Sequence, residues 1–410
     1  MPTDEKNENM NRMLRHTHDK LRAMARRLWS APVMLVVIVV VNIFVSCIEP
    51  PLKLPATVVV VDLPMVIADL DIVWNIDVDW KAHWHYGWDS TDLKQWGEIT
   101  YPRPTRFDVR RYYLGNQTRV PHSKPDAFTI ADTTFRRTYE FGYYDMLIWS
   151  LIDSKTHTQV VTINEDDYDN VIASTTVTRA ISLSRAEDAN PTALFNQPEI
   201  FYSAYPRDIH ISHNIEDYDY WNEKEQVWVK HINCTLEPLV YIYLVQIILH
   251  NNDDGRVKGI SGDCAISAMA SGTSVNTAHT LNTPCMVYFT TRMKKDKYVN
   301  GERVDIIGGK LTTYGLCDMD GYYTDSRAIY QGPRKELPNY LYFDLLMSGG
   351  SVQTLRADVT HQVQTQCHGG VITVEIDAKQ VDDPHGEGGD GSLFHPTVED
   401  YDKLDYDIPM

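Results

Sequence analysis

The 410-residue chain is poor in the features that most often announce an activity. It has six cysteines and none in CxxC spacing, which excludes a dense disulfide framework and a cysteine-rich zinc site. One or two bridges among Cys234, Cys264, Cys285, Cys317 and Cys367 stay open as a reading for an oxidising compartment. No Gly-rich phosphate loop and no G-x-S-x-G elbow occurs, so the expectation is no cofactor and no hydrolase nucleophile. Positive charge is scarce, with 38 Lys+Arg against 56 Asp+Glu for a net −18. Residues 1–46 hold seven basic and four acidic side chains, which leaves −21 on the remainder. Such a surface repels phosphate backbones and anionic headgroups, so nucleic acid is excluded as a partner. Carboxylates this numerous identify no acid–base pair, and nothing argues for an enzyme. Helical periodicity is scarce beyond residue 47.

Long apolar runs are also lacking, with one exception that stops short. Ala31 to Val45 is fifteen residues, interrupted only by Pro32 and Asn42. Spanning a bilayer takes about 20 apolar residues, whereas about 7–15 suits the centre of a signal peptide. Arg22, Arg26 and Arg27 precede the run as its positive flank. Small Ser46 precedes Cys47, and "FVSC" resembles a bacterial lipobox whose cysteine receives diacylglycerol and begins the mature chain. Residues 1–46 then read as a signal peptide with a long polar N-terminal extension, and initiation at Met24 would give one of ordinary length. An uncleaved span from Leu28 to Ile48, or a plain signal peptide, is the alternative.

What is plentiful is period-two alternation. In "LDIVWNIDVDWKAHWHYGWD" (Leu70 to Asp89) the even positions from Leu70 to Trp88 are apolar or aromatic, as a half-buried strand requires. Its length suggests one bent strand or two with a break near Trp80–Lys81. Similar runs are "RFDVRRYYL", "YYDMLIWSLID", "THTQVVTI", "EQVWVKHINCTL", "LVYIYLVQIIL", "CMVYFTTRM", "YLYFDLLMSGGSVQTLRADVTHQVQT" and "GGVITVEID". Asp254-Gly255 is a turn signal of the hairpin type, and Gly349-Gly350 marks another. Repeated strands with Gly/Asn/Asp turns predict an all-β chain of two β-sandwich domains. The expected division is 47–185, 186–381, and a Gly-rich, acidic tail at 382–410.

Three clusters raise the question of a site. Asp79, His83 and His85 share one strand face at metal-ligand reach, but the outward face of an exposed strand is the stronger reading and no metal site is expected. "NEDDYDN" and "CDMDGYYTD" lack the order of a calcium loop and read as acidic turns. Trp84 and Trp88, with Trp74 and Trp80, offer a stacking surface for sugar rings. All four share the register of Ile72, Ile76 and Val78, which looks like the buried face, so core packing is the stronger reading.

The lipobox followed by two β-rich halves is similar to the fimbrillin-type surface lipoproteins of the Bacteroidales, in particular an uncharacterised branch. The residues that carry this are "IDVDW", "FGYYDMLIWSLID", "QPEIFYSAYPRDIHIS", "LEPLVYIYLVQIIL", "IIGGKLTTYGLCD", "CHGGVITVEID" and "FHPTVEDYD", spread over most of Asp71 to Asp402. The resemblance implies two transthyretin-like sandwiches and an outer-membrane, cell-surface location through a lipid on Cys47. It implies fimbrial or other surface proteins as partners, with membrane lipid met through the anchor. In such proteins an N-terminal strand is cut away and a neighbour's C-terminal strand replaces it, a form of β-augmentation. Here "PATVVVVDLP" has no arginine to mark a cut, and Arg103, Arg106 and Arg119 come later. The terminal "YDKLDYDIPM" is too rich in aspartate to fill an apolar groove. The expectation is therefore an accessory, anchoring or minor subunit that keeps its lipid, with a glycan-binding lipoprotein using Trp84 and Trp88 as the alternative.

Overall fold

A computed structural model describes residues 15–22, 57–62, 83–116, 124–131, 133–151, 160–164, 167–176, 194–234, 236–321 and 337–381. The chain divides into two compact units, Met1–Pro55 and Ala56–Met410. In the first, helix α1 covers 15–22. The apolar run, Cys47, the boundary expected near 185 and the tail at 382–410 all lie outside the described residues. No helix among the described residues is long and apolar enough to cross a membrane.

The second unit is built of strands, as the alternation predicts. In chain order the first are β1 (Thr57–Asp62), β2 (Arg106–Tyr113), β3 (Asp126–Ile130), β4 (Thr134–Tyr139) and β5 (Gly142–Leu151). Then come β6 (Val161–Ile163), β7 (Ile172–Ser174), β8 (Leu194–Phe195), β9 (Tyr202–Ala204), β10 (Ile209–Ile211) and β11 (Tyr220–Asn222). They continue with β12 (Val227–Asn233), β13 (Glu237–Pro238), β14 (Tyr241–His250), β15 (Val257–Ile260), β16 (Cys264–Ala270) and β17 (Gly272–Ser274). The last are β18 (Pro284–Phe289), β19 (Arg292–Val299), β20 (Glu302–Thr313), β21 (Tyr340–Met347), β22 (Val352–Asp358) and β23 (Gly370–Asp377). Two short helices interrupt them, α2 (Ser90–Trp96) and α3 (Thr360–Thr365).

One pair of sheets has the orders β11-β12-β1-β4 and β13-β9-β5-β2-β3, with β10 also on β5. Their facing side chains share one core, which includes Phe135 and Tyr139 of β4 with Phe107, Val109, Met146 and Ile148. A second pair, β19-β20-β14-β23 and β15-β21-β16-β18-β8 with β22 on β21, encloses a second core. A three-stranded sheet, β17-β7-β6, completes the unit.

β14 belongs to both cores. Tyr241, Tyr243, Val245, Ile247 and Leu249 face the second, while Ile242, Leu244 and Ile248 face the first. Burial on both faces is why its sequence is a continuous apolar run instead of an alternating one. The side chain out of character is Gln246, which is fully buried.

Three local expectations are corrected. From His83 onward the Leu70–Asp89 segment is not a strand, although Trp84 and Tyr86 are buried in alternation with less buried His83 and His85. Gly87 has φ +73°, a conformation that ends an extended run, and Asp89 caps α2 through Thr91 N and Asp92 N. The stretch after β22 turns into α3, because Val359 and Val363, one turn apart, both point into the core. Asp254-Gly255 does form a turn, with Gly255 at φ +69°, but the strands it joins, β14 and β15, lie in different sheets.

Candidate functional site: an inserted strand and the cover of the central sheet

β1, "TVVVVD", begins ten residues after Cys47 and is β-branched at five of its six positions. It is not an edge strand. It runs parallel to β12, with Val58 opposite Val229 and Asp62 opposite Asn233. On its other side it runs antiparallel to β4, with Thr57 opposite Tyr139 and Asp62 opposite Thr134. The N-terminal strand thus occupies an interior place that would otherwise be a groove between β12 and β4. These two neighbours are also joined by an ion pair, Arg136 of β4 to Glu225 in the turn before β12, at 3.0 Å.

Residues 83–98 lie over the face of β14 and β20 that points away from the second core. Gln246 holds them by backbone mimicry. Its Oε1 accepts from His85 N at 3.0 Å and Tyr86 N at 3.3 Å. Its Nε2 donates to His83 O at 2.7 Å and to Thr373 Oγ1 at 2.9 Å. Four bonds satisfy the whole amide, so its burial costs little. Tyr86 then sits on Gly308 of β20, where a Cβ would stand 2.5 Å from the ring.

The next anchor is Asp92, fully buried in α2. It accepts from the Tyr86 hydroxyl at 2.9 Å, from Arg292 Nη1 at 2.8 Å and from Lys294 Nζ at 2.5 Å. Lys294 also lies over the Tyr86 ring, 3.9 Å from its centroid. Burial and the bond to Asp92 hold the Tyr86 phenol far above its usual range. Beyond α2, Lys310 of β20 donates to the carbonyls of Trp96 and Glu98 from a site only 3% exposed. Burial lowers its ammonium to about 8, against the opposing charge of Glu98.

This cover contains both tryptophans singled out by sequence. Trp84 is 7% exposed, with its indole N–H donating to Gly87 O at 3.2 Å and its ring 5.3 Å from Tyr86. Trp88 packs on Trp96 at 5.4 Å, and its buried indole N–H has no acceptor among the described residues. Packing against the sheet sets both rings. Cys47 and Asp79 lie outside the described residues, and no group of three metal-ligating side chains occurs among those described. Of the acidic turns, "CDMDG" engages His279, whose ring nitrogens lie 2.9 Å from Asp318 and 2.9 Å from Asp320. The five described cysteines are all free and buried.

Sequence reading missed a cleft of about 490 Å³ where β4, the last strand of its sheet among the described residues, faces β2 and the start of β3. Arg111 forms its wall. It donates to Thr138 O at 2.8 Å and to Asp126 at 2.7 Å, and stands 4.4 Å over the Tyr139 ring. Tyr144 closes the floor, its hydroxyl bonded to the Glu140 backbone at 3.0 Å. These groups satisfy one another, and nothing in "RRYY" or "RRTYE" distinguishes them from ordinary strand residues.

No protein-family model matches the chain, and no curated protein matches it. Solved structures do. A candidate adhesin from Bacteroides ovatus ATCC 8483 aligns over 83% of this chain and 94% of its own, at 12% identity and a TM-score of 0.47. The fimbrial anchor protein Mfa2 from Porphyromonas gingivalis aligns over 78% and 91%, at 11% identity and 0.38. The C-terminally truncated tip fimbrial protein Mfa3 from the same organism covers 78% and 95%, at 7% and 0.30. The chain is thus similar, at low identity, to candidate adhesins and fimbrial proteins of the genera Bacteroides and Porphyromonas.

Proposed function

We propose that this is a lipid-anchored cell-surface protein of fimbrial type, an anchor or accessory subunit that acts in assembly or adhesion through protein contacts. The lipid attaches at Cys47, and the protein does no chemistry of its own. The observation that carries the reading is the place of β1, paired on both sides and only ten residues after that cysteine. A subunit that polymerises by strand replacement must give this strand up. Of the arginines that follow β1, Arg103 and Arg106 come first and Arg110, Arg111 and Arg119 come next, all beyond the 83–98 cover. A cut at any of them would detach Tyr86, Asp92 and Trp96 together with β1, and so uncover the face of β14 and β20. Keeping the N-terminal strand, and with it the lipid, is the state in which the unit stays whole.

The test is mass spectrometry of the mature N-terminus in a related host, with metabolic fatty-acid labelling of the wild type and of Cys47→Ala. A chain that begins at diacylated Cys47, with label lost in the variant, is expected. A mature chain that begins after Arg103, Arg106 or Arg119 would make it a polymerising subunit instead. An intact, unlabelled Cys47 would remove the anchor altogether.

A further inference from the structure

One face of β2 changes character before the strand ends. Phe107 and Val109 are buried in the first core, and Arg111 and Tyr113 continue the same alternation into the cleft of about 490 Å³. That volume lies in the range of small-ligand sites, about 300–1,000 Å³. Cross-strand partners set both side chains. Arg111 stands opposite Asp126 of β3, to which it is bonded at 2.7 Å, and Tyr113 stands opposite Tyr144 of β5. The rings of Tyr113, Tyr144 and Tyr139 then form one floor, with successive centroids 5.1 and 4.9 Å apart. All three hydroxyls are tied to the protein: Tyr113 to Phe141 O, Tyr144 to the Glu140 backbone and Tyr139 to Met146 Sδ. What the floor has left to offer is ring carbon.

The rim carries both signs of charge. Arg111 is fixed by Asp126 and Thr138 O, and the second Asp126 oxygen has no partner among the described residues. Lys124 and Glu140 are exposed, and their side chains make no hydrogen bond or ion pair among the described residues. Two basic and two acidic side chains leave the lining neutral, in a chain of net −18. An anionic ligand would meet the two carboxylates, and a cationic one the guanidinium and the ammonium. An extended peptide adding to β4 would need Thr138 O, which Arg111 already holds at 2.8 Å. The class that remains has an apolar face to lie on rings and polar groups that donate and accept at once.

We infer that this cleft binds a neutral saccharide, its C–H face on the tyrosine floor and its hydroxyls between the charged groups of the rim. Each hydroxyl can donate to Glu140 or Asp126 and accept from Lys124 or Arg111, and such charge-assisted bonds are the stronger kind. The floor and the Arg111–Asp126 wall are already held in place, so binding orders little besides Lys124 and Glu140. The site goes beyond the protein contacts proposed above, and it does not need the lipid at Cys47.

The test screens the purified full chain, in detergent, on a printed array of neutral, amino and acidic oligosaccharides, and titrates the strongest neutral ligand by calorimetry. The wild type is expected to bind at least one neutral oligosaccharide, with an affinity little changed by added salt. Glu140→Gln and Lys124→Ala are each expected to weaken that binding at least tenfold. Both side chains are exposed and unbonded among the described residues, so these variants keep the fold. Tyr298→Ala, which removes an exposed ring outside the cleft, is expected to change nothing. An array with no oligosaccharide bound would overturn the inference, as would binding that survives both cleft substitutions. Binding confined to acidic oligosaccharides and abolished by salt counts against it equally.

Discussion

Tyr86 rests on Gly308 so closely that the glycine's missing side chain is what lets residues 83–98 lie on β20. A Cβ at position 308 would meet Tyr86 Cγ and Cδ2, each at 2.5 Å. Gly308→Ala should destabilise the fold by about 1–3 kcal/mol, the usual cost of overpacking a filled core. Tyr86→Ala in the same background should relieve the clash while losing the ring's own burial. Thermal unfolding of the two singles and the double measures the coupling.

Asp92 makes the second prediction. Asp92→Ala removes the partner of Lys294 and of the Tyr86 hydroxyl at a fully buried position, for an expected loss of about 3 kcal/mol. Asp92→Asn should cost less, because Asp89 still lies 3.1 Å from Lys294 and 2.9 Å from Arg292. In both variants the cover should loosen, and limited trypsin digestion should reach Lys94 sooner than in wild type.

Lys310 gives a pH dependence with a definite sign. Its ammonium titrates near 8 when folded and near 10.4 in an unfolded chain. Between these values the unfolded state holds the extra proton, so stability rises with pH, by about 3 kcal/mol across the full window. Below about pH 8 both states are protonated and the penalty of the buried charge is constant. Buried tyrosines act in the opposite sense above about pH 10. The rise should therefore be read between pH 8 and 9.5, as the wild-type slope in denaturant unfolding minus that of Lys310→Met. Equal slopes would mean that Lys310 is not desolvated.

The five buried cysteines should be inert. Burial pushes Cys264 and Cys367 up to about 12 and raises Cys285 as well, so no thiolate is present at neutral pH. A chain carrying Cys47→Ala should take up no thiol reagent while native and five equivalents once denatured. Reducing agent should leave its melting temperature unchanged.

Much of the fold was legible because strand alternation is a local signal. β2, β5, β12 and β21 lie where the apolar rhythm puts them, and β14 lies where its continuous apolar run does. The rest needed partners that no local window contains. Trp84 and Tyr86 keep the rhythm of a strand without strand neighbours, because Gln246, 160 or more residues away, supplies the bonds a neighbour would supply. "VTHQVQT" is equally compatible with a strand and with one helical turn, and the choice falls to Val359 and Val363 meeting the same core. The interior place of β1 depends on the register of β4 and β12, which a run of valines does not specify.

The double pairing of β1 also has a mechanical consequence. Tension on the chain upstream of Thr57 enters the fold along the axis of that strand. Its backbone bonds to β12 and β4 run across this axis, so they are loaded sideways and together along both flanks. A hairpin edge pulled from its end opens one bond at a time, whereas β1 must slide past two neighbours at once. Pulling from the N-terminal side of β1 thus loads both of its ladders in shear at once.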